Sequence, residues 1–109
     1  MTKLLSIASF SFASGTLLLP AFAQSADPSL GGHLAETTCV ACHQVGPEAS
    51  PKNPKATAPS FVDISRMPST NELAIKVFLR TSHSTMPNII LSPEEMDSVA
   101  AYIVGLAKK

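Results

Sequence analysis

Both cysteines of this chain lie within one pentapeptide, Cys39-Val40-Ala41-Cys42-His43. Two intervening residues on a helical turn put both thiols on one side, at the separation of the two vinyl groups on one edge of a porphyrin. The thiols can add across those vinyl groups, and the histidine that follows can bind the iron beneath the ring. The pentapeptide therefore predicts one covalently attached haem c, held through two thioethers by Cys39 and Cys42, with His43 as an iron ligand.

Three other roles of paired cysteines fit the sequence less well. A zinc site needs about four ligands, and His33 and His83 do not form a closely spaced pair. A thioredoxin-like redox pair requires a preceding strand and a βαβ context, which the pattern does not predict. A disulfide across two residues would be strained and would close almost no loop, so it would stabilise little. The residues favour haem attachment.

The beginning of the chain has the pattern of an export signal. A single lysine precedes an uncharged, mostly apolar stretch that ends at Pro20, and residues 21–23 supply the small-x-small pattern that signal peptidases cleave. We predict a secretory signal peptide over residues 1–23, cleaved after Ala23, and a periplasmic domain over residues 24–109. The alternative is an uncleaved membrane anchor, for which this serine-rich stretch is poorly apolar.

Charge and composition narrow the classes of partner. The 109 residues suit one domain, and eight Lys/Arg balance eight Asp/Glu. A formal net charge of zero gives no reason to expect nucleic acid or an anionic membrane as a partner. The predicted mature domain keeps only Phe61, Phe78 and Tyr102 as aromatic residues. So thin a core indicates that a cofactor completes it.

Helix signals lie on both sides of the pentapeptide. Asp27-Pro28 combines a capping side chain with a first-turn proline and predicts a short helix that ends near Cys39. The pair Gly31-Gly32 weakens that helix, which makes sense if another helix approaches it closely. Four prolines between residues 44 and 60 then predict a loop.

Three further helical segments follow this loop. A single turn begins at Phe61 and ends by Pro68, and Ser69-x-x-Glu72 predicts a capping box for a helix that cannot continue through Pro87. The run beginning Ser92-Pro93 is the clearest helix start, and an apolar stripe at helical spacing follows it. No run alternates as a half-buried strand does. We expect an all-α domain of three to four short helices.

These residues, in this order, resemble a class I cytochrome c: a helix leading into C-x-x-C-H, a long loop, a helix, a Met-Pro loop and an amphipathic last helix. The resemblance covers residues 24–109. It implies that the N- and C-terminal helices cross around a covalently bound haem, with Gly31 or Gly32 facing Tyr102. It also implies an electron carrier that is not an enzyme.

The resemblance implies a methionine as the sixth iron ligand. Met86 lies in the loop before the last helix, as a Met-Pro dipeptide, and is the expected ligand. Met67 also precedes a proline but comes before the preceding helix, and Met96 lies on the apolar stripe of the last helix, where a core role is expected. His83 competes with Met86, because imidazole also binds haem iron. His33 is expected to be a surface or packing residue.

Two expectations about environment follow from this ligand set. An iron-bound histidine normally donates its other ring N–H, and in this family a proline carbonyl often accepts it. Pro59 is the matching residue, although Ala58 stands where the family more often has glycine. With His43 and Met86 both bound, the iron has no open position, which suits one-electron exchange.

The expected function is a periplasmic monohaem carrier that passes single electrons between redox partner proteins. We expect a monomer without stable membrane insertion. Two alternatives remain open at this point: a peroxidase or sensor with a displaceable sixth ligand, and a bound haem subunit of a larger dehydrogenase.

Overall fold

A computed structural model describes residues 25–48, 53 and 57–109. The helices are α1 over Pro28–Thr37, α2 over Phe61–Arg66, α3 over Glu72–Arg80 and α4 over Pro93–Leu106, with a 3₁₀ turn at Cys39–Ala41. These described ranges contain no strand, which confirms the all-α class with four short helices. No helix within them is both long and apolar enough to cross a membrane. The predicted signal peptide, residues 1–23, lies outside the described residues.

The first and last helices begin where the sequence predicts. The Asp27 carboxylate caps α1 by accepting the Ser29 N–H at 2.9 Å, with proline at the first helical position. At α4 the Ser92 hydroxyl accepts the Glu95 N–H at 3.1 Å, while the Glu95 carboxylate accepts the Ser92 N–H at 2.8 Å. This reciprocal pair is the predicted capping box, and it satisfies backbone donors that a helix start would otherwise leave free.

Helix α3 begins with a different cap from the one predicted. The Ser69-x-x-Glu72 pattern predicts Ser69 as the cap, whereas Asn71 holds that position and its side-chain oxygen accepts the Ala74 N–H at 2.9 Å. Asparagine is as strong a cap as serine, and starting at Asn71 puts the acidic Glu72 in the first turn, where the helix dipole favours it. The predicted helix is present, but the predicted capping box is wrong.

The two glycines of α1 lie where α1 crosses α4. A Cβ added to Gly31 would overlap the carbonyl oxygen of Ser98 and lie 2.9 Å from Cβ of Tyr102. A Cβ added to Gly32 would lie 3.1 Å from Cε2 of Tyr102. The helix backbones can approach this closely only because these residues have no side chain. The expected crossing, with the glycines facing Tyr102, is confirmed.

Helix α4 is the centre of the fold, since α1, α2 and α3 all pack against it. Its buried apolar stripe meets Ala35 of α1, Phe61 of α2 and Ile75 of α3 in one core. On the edge of the α3–α4 contact, Lys76 and Asp97 form an ion pair at 2.8 Å. Solvent reaches both side chains, so this pair stabilises the fold little compared with the apolar core.

Candidate functional site

The C-x-x-C-H pentapeptide forms a helical turn at the end of α1. The N–H groups of Cys42 and His43 both donate to the carbonyl oxygen of Cys39, at 3.1 and 2.9 Å. Val40, between the cysteines, is buried in the core and fixes the turn against the helices. The turn therefore presents the two cysteines and the histidine from one short, well-anchored piece of backbone.

The two thiols are free and differ in environment. Cys39 is half-buried, and this burial raises the pKa of its thiol. Cys42 is exposed. Because burial disfavours the thiolate, Cys39 stays a neutral thiol at pH 7. The structure thus agrees with the argument that these cysteines do not pair with each other.

The His43 ring is held on one side by a backbone carbonyl. Its Nδ1 lies 2.7 Å from the carbonyl oxygen of Pro59, and its ring centroid lies 5.2 Å from that of Phe61. A carbonyl can only accept, so Nδ1 carries a proton, and in the neutral imidazole Nε2 then keeps its lone pair. This is the partner predicted from the sequence, and Ala58 in place of glycine does not prevent it.

The three internal methionines lie in three different environments. Met96 is buried on α4, as expected for a core residue. Met67 follows the last residue of α2 and is 47% exposed. Met86 is half-buried in the irregular segment between α3 and α4. Met96 therefore has the core position that the sequence predicts for it, and Met67 and Met86 are the more accessible internal methionines.

The other histidines differ in the same way. His83 is half-buried, and its ring stacks on that of Phe78 with centroids 3.5 Å apart and planes 25° apart. His33 is exposed on α1, as expected for a surface residue. Stacking gives His83 a local partner that does not involve iron.

The residues fit a large, flat apolar cofactor. Four large apolar side chains on α3 and at the end of α2 are exposed to about half or more of their area: Met67, Leu73, Val77 and Phe78. Leu73 and Val77 lie four residues apart, on one line of α3, and Ile75 on the other side is buried against the core. A helix that is apolar on two sides needs cover on both, and a bound porphyrin would suit the outer side.

Sequence reasoning missed one contact near the site. The hydroxyl of Tyr102 donates to the carbonyl oxygen of Val45 at 2.8 Å. Val45 comes two residues after His43. The only signal in the sequence is general, since a tyrosine on an apolar helix face needs a partner for its hydroxyl. That signal does not say which carbonyl accepts.

A protein-family model described as Cytochrome c matches residues 29–107. The match begins at the second residue of α1 and extends past the end of α4, so it includes the pentapeptide, nearly all of α1 and the whole of α2, α3 and α4. Comparison with curated proteins and with solved structures finds no match.

Proposed function

Since the chain belongs to the cytochrome c family, whose members carry electrons on covalently attached haem c, we propose that it is a periplasmic monohaem carrier with His43 and Met86 as the iron ligands. Bound haem supplies an iron that gains and loses one electron. The chain's own residues attach the group, orient it and keep water from it. Cys39 and Cys42 are the proposed thioether residues, because both cysteines lie in the pentapeptide turn.

The hydrogen bond between His43 and Pro59 carries this proposal. It favours the tautomer that leaves Nε2 free, and it restrains the orientation of the ring. It also makes the imidazole a stronger electron donor, as a carbonyl acceptor does for metal-bound histidines generally. A histidine held in this way directly after two free cysteines supports iron ligation.

The environments of Met96 and His83, together with the place of Met86 in the Met-Pro segment before α4, favour Met86 over Met67 as the second ligand. Met96 is committed to the core, and His83 already stacks on Phe78. Met86 lies in the segment between α3 and α4, and the outer face of α3 carries uncovered apolar side chains. A thioether ligand raises the reduction potential relative to a second imidazole. With two protein ligands the iron has no open position, which supports electron transfer over catalysis on a substrate.

Export to the periplasm, cleavage after Ala23 and a mature domain over residues 24–109 complete the proposal. Haem attachment through thioethers requires reduced thiols, and both cysteines are free. The partners are redox proteins that donate and accept one electron, and we propose that the carrier works as a monomer.

The test compares Met86→Ala with Met67→Ala in the matured holoprotein. Methionine ligation gives the oxidised form a charge-transfer band at the red edge of the spectrum, and gives the reduced form a strongly upfield thioether methyl signal. We expect Met86→Ala to lose both signals and to lower the reduction potential, while Met67→Ala keeps both. The ligand assignment is wrong if the two variants behave in the opposite way. Mass spectrometry of the wild-type protein checks attachment and cleavage, since the mass should be that of residues 24–109 plus one haem.

A further inference from the structure

The backbone that follows Cys42 is fixed to the segment that leads into α2. The carbonyl of Gln44 accepts the N–H of Phe61 at 2.9 Å, next to the hydrogen bond that joins His43 to Pro59 at 2.7 Å. The orientation of the His43 ring relative to its acceptor therefore depends on how these two pieces of irregular backbone are held.

Tyr102 ties the same backbone to α4. Its hydroxyl donates to the carbonyl of Val45, a residue that is 1% exposed. The Tyr102 ring packs beside Gly32, at the crossing of α1 and α4. The place of the hydroxyl is thus set by the helix crossing, and the carbonyl that it holds is two residues after His43.

We propose that Tyr102 is a positioning residue for His43, acting through the Val45 carbonyl. The proposal rests on the proposed role of His43 as an iron ligand. Packing at the crossing requires the ring of Tyr102, which phenylalanine also supplies, but the hydroxyl adds a bond to the backbone beside the ligand. Loss of that bond leaves the Val45 carbonyl without this donor, and the turn that carries His43 relaxes.

A relaxed turn weakens the hydrogen bond from His43 Nδ1 to Pro59. The imidazole then donates less electron density to the iron, and this change favours the reduced state. Removal of the Tyr102 hydroxyl therefore raises the reduction potential without removing any iron ligand.

Tyr102→Phe tests this in the holoprotein, with Ser98→Ala as the matched control. Ser98 is also on α4 and fully buried, and its hydroxyl accepts the N–H of Asp27 at 3.0 Å, at the start of α1. Both variants lose one hydrogen bond made by α4. Only the bond lost in Tyr102→Phe holds the backbone beside His43. The measurements are the NMR signals of the His43 ring in the oxidised protein, hydrogen exchange of its Nδ1–H, and the reduction potential.

We expect Tyr102→Phe to shift the His43 ring signals, to speed Nδ1–H exchange by up to roughly fivefold, the factor for complete loss of one ordinary hydrogen bond, and to raise the potential. Ser98→Ala should leave all three as in the wild type. If the two variants give the same ring signals and exchange rates, Tyr102 is a packing residue and the inference is wrong. If iron does not displace the NMR signals of the His43 ring in the wild-type protein, His43 is not an iron ligand. The proposed ligation is then wrong, and so is this inference.

A second measurement keeps the phenol and its hydroxyl group in place. Tyr102 is the only tyrosine of the chain, so 3-fluorotyrosine supplied during expression changes this phenol alone. Its more acidic hydroxyl is a stronger donor, so Nδ1–H exchange of His43 should slow and the potential should fall. Unchanged exchange and potential would overturn the positioning role.

Discussion

Substitution of Gly31 by alanine tests the crossing of α1 and α4, on which the shape of the domain depends. The added Cβ would lie 2.5 Å from the carbonyl carbon of Ser98 and 2.9 Å from Cβ of Tyr102. Ordinary carbon–carbon contact begins at about 3.5 Å, so α1 must move away from α4 by roughly 1 Å. The obstacle is backbone, which cannot rotate away as the end of a flexible side chain can.

The expected loss of stability follows from two opposing effects. Overpacking at a tight contact costs about 3 kcal/mol at the upper end of its usual range. Alanine is about 1 kcal/mol better than glycine within a helix, which offsets part of this cost. We expect Gly31→Ala to lower the free energy of unfolding by about 2 kcal/mol, or the melting temperature by about 10 °C for a domain of this size.

The assay is urea unfolding of the holoprotein followed by circular dichroism, with two other glycines as controls. Nothing lies within 4 Å of a Cβ added to Gly105 of α4, so Gly105→Ala should be neutral or stabilise by about 0.5 kcal/mol. A Cβ added to Gly32 would lie 3.1 Å from the edge of the Tyr102 ring. The free energy of unfolding of Gly32→Ala should therefore lie between those of the other two variants. The reasoning about the crossing is refuted if Gly31→Ala is as stable as Gly105→Ala.

Two further predictions concern a helix start and a titrating group. Asn71→Ala should cost about 1 kcal/mol in urea unfolding, because it removes the cap of α3, while Ser69→Ala should cost almost nothing; equal costs would restore Ser69 as the cap. Burial raises the pKa of Tyr102 above its usual value of 10.0, with Glu36 adding to the shift. A raised pKa means that the folded protein favours the protonated phenol, so the contribution of Tyr102 to stability is complete below pH 10 and is lost as the pH rises through the folded-state pKa. Unfolding midpoints measured from pH 8 to 11 should fall more steeply for the wild type than for Tyr102→Phe, and parallel curves would contradict the shift.

The pentapeptide and most helix starts were predictable because they depend on residues a few positions apart. The spacing of Cys39, Cys42 and His43 is fixed by the covalent chain, and so is the reach of a capping side chain such as Ser92. The start of α3 shows how such reasoning fails. Ser69 and Asn71 both precede Glu72 at suitable distances, and the choice between two good caps depends on where the helix packs.

The carbonyl partner of His43 was predictable from the family pattern, but its neighbours were not. The Tyr102 hydroxyl and the Val45 carbonyl are separated by 57 positions in the sequence. No local propensity relates two such residues. They meet because glycines at 31 and 32 let α1 and α4 approach closely, and this approach sets the position of the phenol.

The amino-acid sequence by itself determined the chemistry that the chain can perform, because two thiols and an imidazole at fixed covalent spacing define attachment of haem whatever the rest of the fold does. Only the tertiary structure decided which face of α3 is left uncovered and which groups hold the His43 backbone. Those outcomes depend on the packing of distant segments against α4, and the free energy of that packing belongs to the whole core rather than to any one stretch of sequence.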